Sequence, residues 1–194
     1  MQQSSGFLHI IIGPMFSGKT SRLLSLLNTV ADMGLKCCYI NSILDTRSDI
    51  GISTHSSRGV KYNKTNIDIL LTDNLVNLDT SNYDYIAVDE SQFFCDLEEF
   101  VINCVDNLNK KLFIAGLDGN YKREMFGNTL KLIPKCDKLE KLTSYCFQCL
   151  KEKGELIDAL FSKKIIDNNL EIDISGSEKY TAVCRKHFLD KNEI

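Results

Sequence analysis

A long apolar run is missing from the start of this sequence, where one would mark a membrane anchor. The stretch from Leu8 to Ile12 is far too short to cross a bilayer, which takes about 20 apolar residues. It also lacks a basic flank and a small-residue cleavage site. No signal peptide is therefore expected, and the chain reads as cytoplasmic with no membrane partner. An excess of positive charge is missing too: 23 Lys and Arg against 26 Asp and Glu leave a net charge of −3. That argues against a general nucleic-acid binder, which is usually basic. Internal repeats and low-complexity tracts are absent, and only residues 1–5 and the last few read as disordered ends.

What is present is an ordinary globular composition. The 194 residues, 43% hydrophobic and 25% charged, suit one domain or one domain with an appendage. A chain of that size buries roughly 70% of its unfolded surface, so it needs no staples to form a core. Eight cysteines are many for a reducing compartment, and each is core filler, metal ligand or reactive thiol. Cys37, Cys38, Cys95, Cys104 and Cys136 sit among apolar neighbours and read as small buried hydrophobes.

Apolar runs alternate with amphipathic stretches over the first two-thirds. Residues 7–12 read as a buried strand, and residues 21–33 as a helix with Leu23, Leu24, Leu27, Val30 and Ala31 on one face. Gly34 closes that helix and residues 35–40 form the next strand. Residues 83–88 and 111–115 supply two more strands. Between them Leu97, Phe100, Val101, Cys104, Val105 and Leu108 recur at helical spacing. The alternation predicts an α/β fold: a mostly parallel sheet flanked by helices. Residues 45–64 are polar and aperiodic, which predicts a long mobile loop. Beyond about Lys141 a cysteine-bearing stretch with short strands begins, so residues 1–141 and 142–194 are expected to form two domains.

Gly13-Pro14-Met15-Phe16-Ser17-Gly18-Lys19-Thr20 fits the phosphate-loop pattern G-x-x-x-x-G-K-[ST], after a strand and at the start of a helix. Gly13 and Gly18 let backbone N–H groups turn inward around phosphate oxygens, and the helix N-terminus adds partial positive charge. Lys19 is expected to reach the β- and γ-phosphates and the Thr20 hydroxyl to ligate Mg²⁺. A later strand ends in Asp89 and Glu90. Asp89 is set to hold the metal, and Glu90 is the natural general base for a hydroxyl acceptor. These two motifs fit a kinase and an ATPase equally well.

Cys146, Cys149, Cys184 and His187 form C-x₂-C and C-x₂-H pairs separated by 34 residues. Two such knuckles let four ligands meet a tetrahedral Zn²⁺, and four protein ligands make the site closed and structural.

At this point the residues resemble a known family. The phosphate loop, the triplet Asp45-Thr46-Arg47, VDESQFF at 88–94, LDGNYKREMFG at 117–127 and the split zinc pairs follow one another as in type II thymidine kinases. The resemblance covers about residues 8–188. It implies transfer of the ATP γ-phosphoryl to the 5′-hydroxyl of thymidine, with deoxyuridine also accepted. It implies Glu90 as catalytic base, and Pro14 through Thr20, Arg47, Asp89 and Gln92 on the nucleotide and its Mg²⁺. Met15, Asp45, Phe93, Leu117, Tyr121, Phe126 and Tyr180 are implied around the nucleoside. Residues 161–180 resemble the family's lasso, which closes over the base. A homotetramer (or dimer), feedback inhibition by dTTP, and no nucleic-acid partner are implied as well.

The sequence departs from that family at several points. His187 stands for the usual fourth cysteine, Tyr121 for a usual Phe, and Lys164 where Arg is common. Ser175-Gly176-Ser177-Glu178 stands where a Gly-Gly-x-Asp turn is usual. Two rival readings remain at this stage: a kinase for another deoxynucleoside, and a phosphate-loop ATPase whose zinc ribbon binds nucleic acid.

Overall fold

Six parallel strands carry the molecule. The computed structural model describes residues 5–45, 65–165 and 179–190. Strand β1 (Phe7–Gly13) leads through the phosphate loop into helix α1 (Lys19–Ala31), then strand β2 (Cys37–Ser42). Strands β3 (Ile67–Thr72) and β4 (Tyr85–Val88) follow, then helix α2 (Leu97–Ile102), strand β5 (Lys111–Leu117) and strand β6 (Lys138–Lys141). They form one sheet in the order β3-β2-β4-β5-β1-β6, every pair parallel, so the expected α/β class holds.

Alternation along each central strand sends side chains to two apolar layers. Ile10, Ile12, Ile40, Val88 and Ile114 pack beneath Leu97, Phe100, Val101 and Cys104 on one face. Ile11, Tyr39, Ala87 and Phe113 pack beneath Leu23, Leu24 and Leu27 of α1 on the other. Those three leucines are fully buried, each worth about 1.5–3 kcal/mol of transfer free energy. The parallel strands all run toward one end of the sheet, and the candidate site lies beyond the C-terminal ends of β1, β4 and β5.

Several elements differ from the sequence reading. The apolar period over residues 97–108 is one helix only as far as Ile102. It then widens into a π-helical turn, Asn103–Asn107, closed by Leu108 N–H on the Asn103 carbonyl at 3.0 Å. Strands β3 and β6 are absent from the sequence reading: β3 is Ile-Asp-Ile-Leu-Leu-Thr, an apolar run broken by one acid, and β6 carries no apolar run. The latter is Lys-Leu-Glu-Lys, held to β1 by parallel pairing and by Asp137, which accepts the Leu8 N–H at 2.8 Å. Cys95 is exposed and Cys136 half-buried, which corrects their reading as buried filler. Cys37, Cys38 and Cys104 are buried as expected, and burial pushes the Cys37 thiol up to about 11 and the Cys38 thiol to about 12. Of the loop predicted for residues 45–64, only Asp45 is described; 46–64 lie outside the described residues.

A small third cluster follows β6. Strands β7 (Ser144–Tyr145) and β8 (Asp158–Ala159) pair antiparallel around helix α3 (Phe147–Lys153). Strands β9 (Phe161–Lys164) and β10 (Tyr180–Val183) form a second antiparallel pair, and helix α4 (Arg185–Leu189) follows. Of the lasso expected over 161–180, residues 166–178 lie outside the described residues.

Candidate active site and metal centre

The phosphate loop joins the end of β1 to α1. Gly18 caps the helix in the left-handed region at φ 79°, and Lys19 is the first helical residue, buried, with its ammonium donating to the Pro14 carbonyl at 2.7 Å. The loop is tied down from outside. Met15 N–H donates to Ser162 Oγ of β9 at 3.0 Å, and the Phe16 ring packs against the cluster of Cys146, Cys149 and Cys184. Phe16 takes a positive φ of 63°, a conformation that costs a bulky residue energy and persists where surrounding contacts impose it.

Asp89 follows β4 and meets the loop's helix. Its carboxylate accepts hydrogen bonds from the Thr20 hydroxyl, from Tyr39 Oη at 2.7 Å and from Glu90 N–H at 2.9 Å. Burial, and after it the Glu90 carboxylate, push Asp89 up to about 6. Burial also drives the Tyr39 phenol well above its ordinary value, helped by Asp89, Glu90 and Asp45, so three carboxylates face one hydroxyl. A hydroxyl and a carboxylate in contact are the hard oxygen donors that Mg²⁺ takes, and Thr20 and Asp89 fit that ion.

Glu90 sits in the left-handed region at φ 47° and opens a single 3₁₀ turn, Ser91–Phe93. Gln92, expected on the nucleotide, engages protein at both ends of its amide: Nε2 donates to Glu90 Oε2 at 2.5 Å and Oε1 accepts the Leu117 N–H at 3.0 Å. Phe93 meets Phe126 edge to face at 5.8 Å. Tyr121 lies under the Lys164 ammonium at 4.9 Å, and Lys164 pairs with Tyr180 across the β9–β10 ladder. Asp45 is buried, and its Oδ2 accepts from Asn41 Nδ2 at 3.0 Å. Arg47 lies outside the described residues.

A cavity of about 550 Å³ opens beside this region, lined by Phe16, Tyr145, Phe147, Lys164, Tyr180 and Val183 among others. Of the residues expected around the nucleoside, Tyr180 alone borders it; Met15, Asp45, Phe93, Leu117, Tyr121 and Phe126 do not.

The four expected metal ligands converge. His187 Nδ1 lies 3.3 Å from Cys146 Sγ and 3.4 Å from both Cys149 Sγ and Cys184 Sγ, and Cys149 Sγ lies 3.9 Å from Cys184 Sγ. All four are buried, with ligand atoms within 4.8 Å of one another. A tetrahedral Zn²⁺ requires edges of about 3.5 Å between nitrogen and sulfur and about 3.8 Å between sulfurs, so the residues fit that ion. Burial opposes ionisation of Cys146, yet the N–H groups of Cys149 and Cys184 with His187 bring its thiol down to about 6. The other ring nitrogen of His187 points to Glu152, 3.4 Å from its carboxylate oxygen. Nε2 is buried and makes no hydrogen bond among the described residues, so Glu152 stands near the ring as a charge, in the place an outer carboxylate takes beside a metal-binding imidazole. The sequence reading does not include Glu152, and its place on α3 three residues after Cys149 is the only hint there.

Compared with known proteins, residues 6–188 match the family model described as thymidine kinase. The chain belongs to the thymidine kinase family. The thymidine kinase of Sheeppox virus (strain KS-1) is 37% identical over 187 residues, covering 95% of this chain and 98% of that one. The Fowlpox virus (strain NVSL) thymidine kinase is 38% identical over 189 residues, covering 95% and 98%. Thymidine kinase a of Arabidopsis thaliana is 36% identical over 191 residues, covering 97% of this chain and 77% of its own. Thymidine kinases are transferases, so this chain is a member of an enzyme family. In this thymidine kinase family member, no helix of the described residues is long and apolar enough to cross a membrane.

Proposed function

We propose that this chain transfers the γ-phosphoryl group of ATP to the 5′-hydroxyl of thymidine, and also of deoxyuridine, in the salvage of DNA precursors. The observation that carries the reading is the meeting of Thr20, Asp89 and Glu90 at the phosphate loop of a thymidine kinase family chain. Glu90 takes the proton of the 5′-hydroxyl as its oxygen attacks the γ-phosphorus; the bond to the β–γ bridging oxygen breaks, and ADP leaves. Lys19 and Arg47 bind the phosphates. Mg²⁺ carried in with ATP supplies charge neutralisation there, and Thr20 and Asp89 are the residues that would hold it. Met15, Asp45, Phe93, Leu117, Tyr121, Phe126 and Tyr180 enclose the nucleoside.

Zinc on Cys146, Cys149, Cys184 and His187 is structural in this reading. Residues 1–141 handle phosphate, while 142–194 carry the metal and the segment that covers the base. A cytoplasmic homotetramer inhibited by dTTP completes it, and sedimentation and inhibition assays check those two properties. The deciding experiment offers a panel of nucleosides with ATP and Mg²⁺. Turnover of thymidine and deoxyuridine, with purine deoxynucleosides rejected, is expected. No turnover of either pyrimidine would refute the reading.

A further inference from the structure

The sequence around Gln92 is built to hold one amide still. Gln92 is 5% exposed, and its Nε2 donates to Glu90 Oε2 at 2.5 Å while its Oε1 accepts the Leu117 N–H from the end of β5 at 3.0 Å. The second bond sorts the amide: a backbone N–H requires an oxygen acceptor, so the nitrogen must face Glu90. Two glycines press on the same residue. A β-carbon on Gly116 would collide with Ser91 Oγ and stand 3.0 Å from Gln92 Oε1, and Ser91 is itself pinned to Thr129 at 2.7 Å. Gly127, at φ 65°, brings its α-carbon so close to the Gln92 backbone that any β-carbon would overlap Gln92 O. Glu90, meanwhile, holds a left-handed backbone at φ 47° that a glutamate does not choose by itself.

We propose that Gln92 is the positioning residue for the Glu90 carboxylate, beyond any contact it makes with nucleotide. The proposal rests on the reading of Glu90 as general base. The amide donor on Oε2 ties one oxygen of the carboxylate and so limits its rotation. Gln92 keeps the carboxylate in that orientation across the catalytic cycle, and the end of β5 with Gly116 and Gly127 serves to fix Gln92. A base held in one orientation retains the advantage of proximity that a freely rotating carboxylate loses.

The test is a double-mutant cycle on the full-length protein, with kcat and the KM values for thymidine and ATP measured in each variant. Gln92→Met keeps the length of the side chain and removes the donor to Glu90 without adding charge beside it; Gln92→Leu shortens the side chain as well, and thermal denaturation reports folding. Each is expected to lower kcat about 10- to 100-fold with KM values within about threefold. In a Glu90→Ala background, neither should lower kcat further, because two residues acting through one group are not additive. Should Gln92→Leu fail to fold, Gln92→Met decides alone. Equal losses in both backgrounds, or a raised KM for ATP with kcat intact, overturn the role of Gln92 while leaving the base in place. Near-normal turnover of Glu90→Ala itself overturns the base assignment, and the proposal with it.

Discussion

The Tyr39 hydroxyl donates a 2.7 Å hydrogen bond to Asp89 Oδ2 at the buried junction of β2 and β4. The phenol and the carboxylate are both shut away from water, at 0% and 2% exposure. Burial raises Asp89, and the hydroxyls of Thr20 and Tyr39 pull the other way by stabilising its charged form. Tyr39 thereby links the core face under α1 to the acid expected to hold Mg²⁺.

Replacing Tyr39 with Phe keeps the ring packing and removes the donor. A hydrogen bond to a buried charged group is worth about 1–3 kcal/mol, so melting should drop by roughly 2–10 °C for a chain of this size. The Mg²⁺ concentration needed for half-maximal turnover should rise as well, since one oxygen of Asp89 is no longer fixed. Thermal denaturation and a Mg²⁺ titration check this; an unchanged melting temperature would show that the bond contributes nothing.

Glu90→Gln preserves shape and removes the base. Nucleotide binding should persist, because the phosphate loop and Asp89 are untouched, while kcat falls by about 10²-fold or more. Steady-state kinetics alongside ADP-binding calorimetry separate the two effects. Near-normal turnover would take Glu90 out of the role.

The legible parts of this fold were those whose signal is local. The central strands are apolar runs buried on both faces, and α1 shows its buried stripe in Leu23, Leu24, Leu27 and Ala31. Strand β6 lies at one edge, where solvent accepts Lys138 and Lys141, so composition does not distinguish it from loop, whereas β3 at the other edge carries Ile67, Ile69, Leu70 and Leu71 and is legible as a short apolar run. The same division runs through the site. The phosphate loop, the Asp89-Glu90 pair and the cysteine knuckles are contiguous motifs. The Tyr39–Asp89 bond joins residues 50 apart in sequence and the Met15–Ser162 bond residues 147 apart, and neither side chain announces its partner.

Glu140 gives a pH-dependent prediction. Its carboxylate takes both Nε and an Nη of Arg22 at 2.9 Å, with Lys138 at 2.9 Å and His9 at 3.2 Å. The Arg22 hydrogen bond is the main cause that holds it down at about 2, against an ordinary 4.5. A lowered folded-state value means the contribution is full above about pH 4.5 and is lost as pH falls toward 2. Glu140→Gln should cost about 1 kcal/mol at neutral pH, since the pair is partly solvated. The gap between variant and parent should close on acidification. Urea unfolding at pH 7 and at pH 3 tests it; a gap that widens in acid would refute the assignment.

Metal removal reaches further than the metal cluster. Purified protein should carry one Zn per chain, and well under one would refute the site. A structural zinc in small modules supplies ~10–16 kcal/mol of binding free energy, so a strong chelator should lower the melting temperature and Cys146→Ser should do the same. Glu152→Ala, which removes the carboxylate 3.4 Å from the His187 ring, should weaken zinc about 10- to 100-fold in competition with a chelator dye. The consequence specific to this fold comes from Phe16 and Ser162. Phe16 packs on the cysteine cluster, and Ser162, in the adjoining antiparallel pair β9–β10, accepts the Met15 N–H. Phe16 ties the phosphate loop to the cluster and Ser162 holds it at Met15, so loss of zinc should weaken ATP binding, and readdition of zinc should restore it. A chelated protein that binds ATP with unchanged affinity would show that the loop keeps its shape without the cluster behind it.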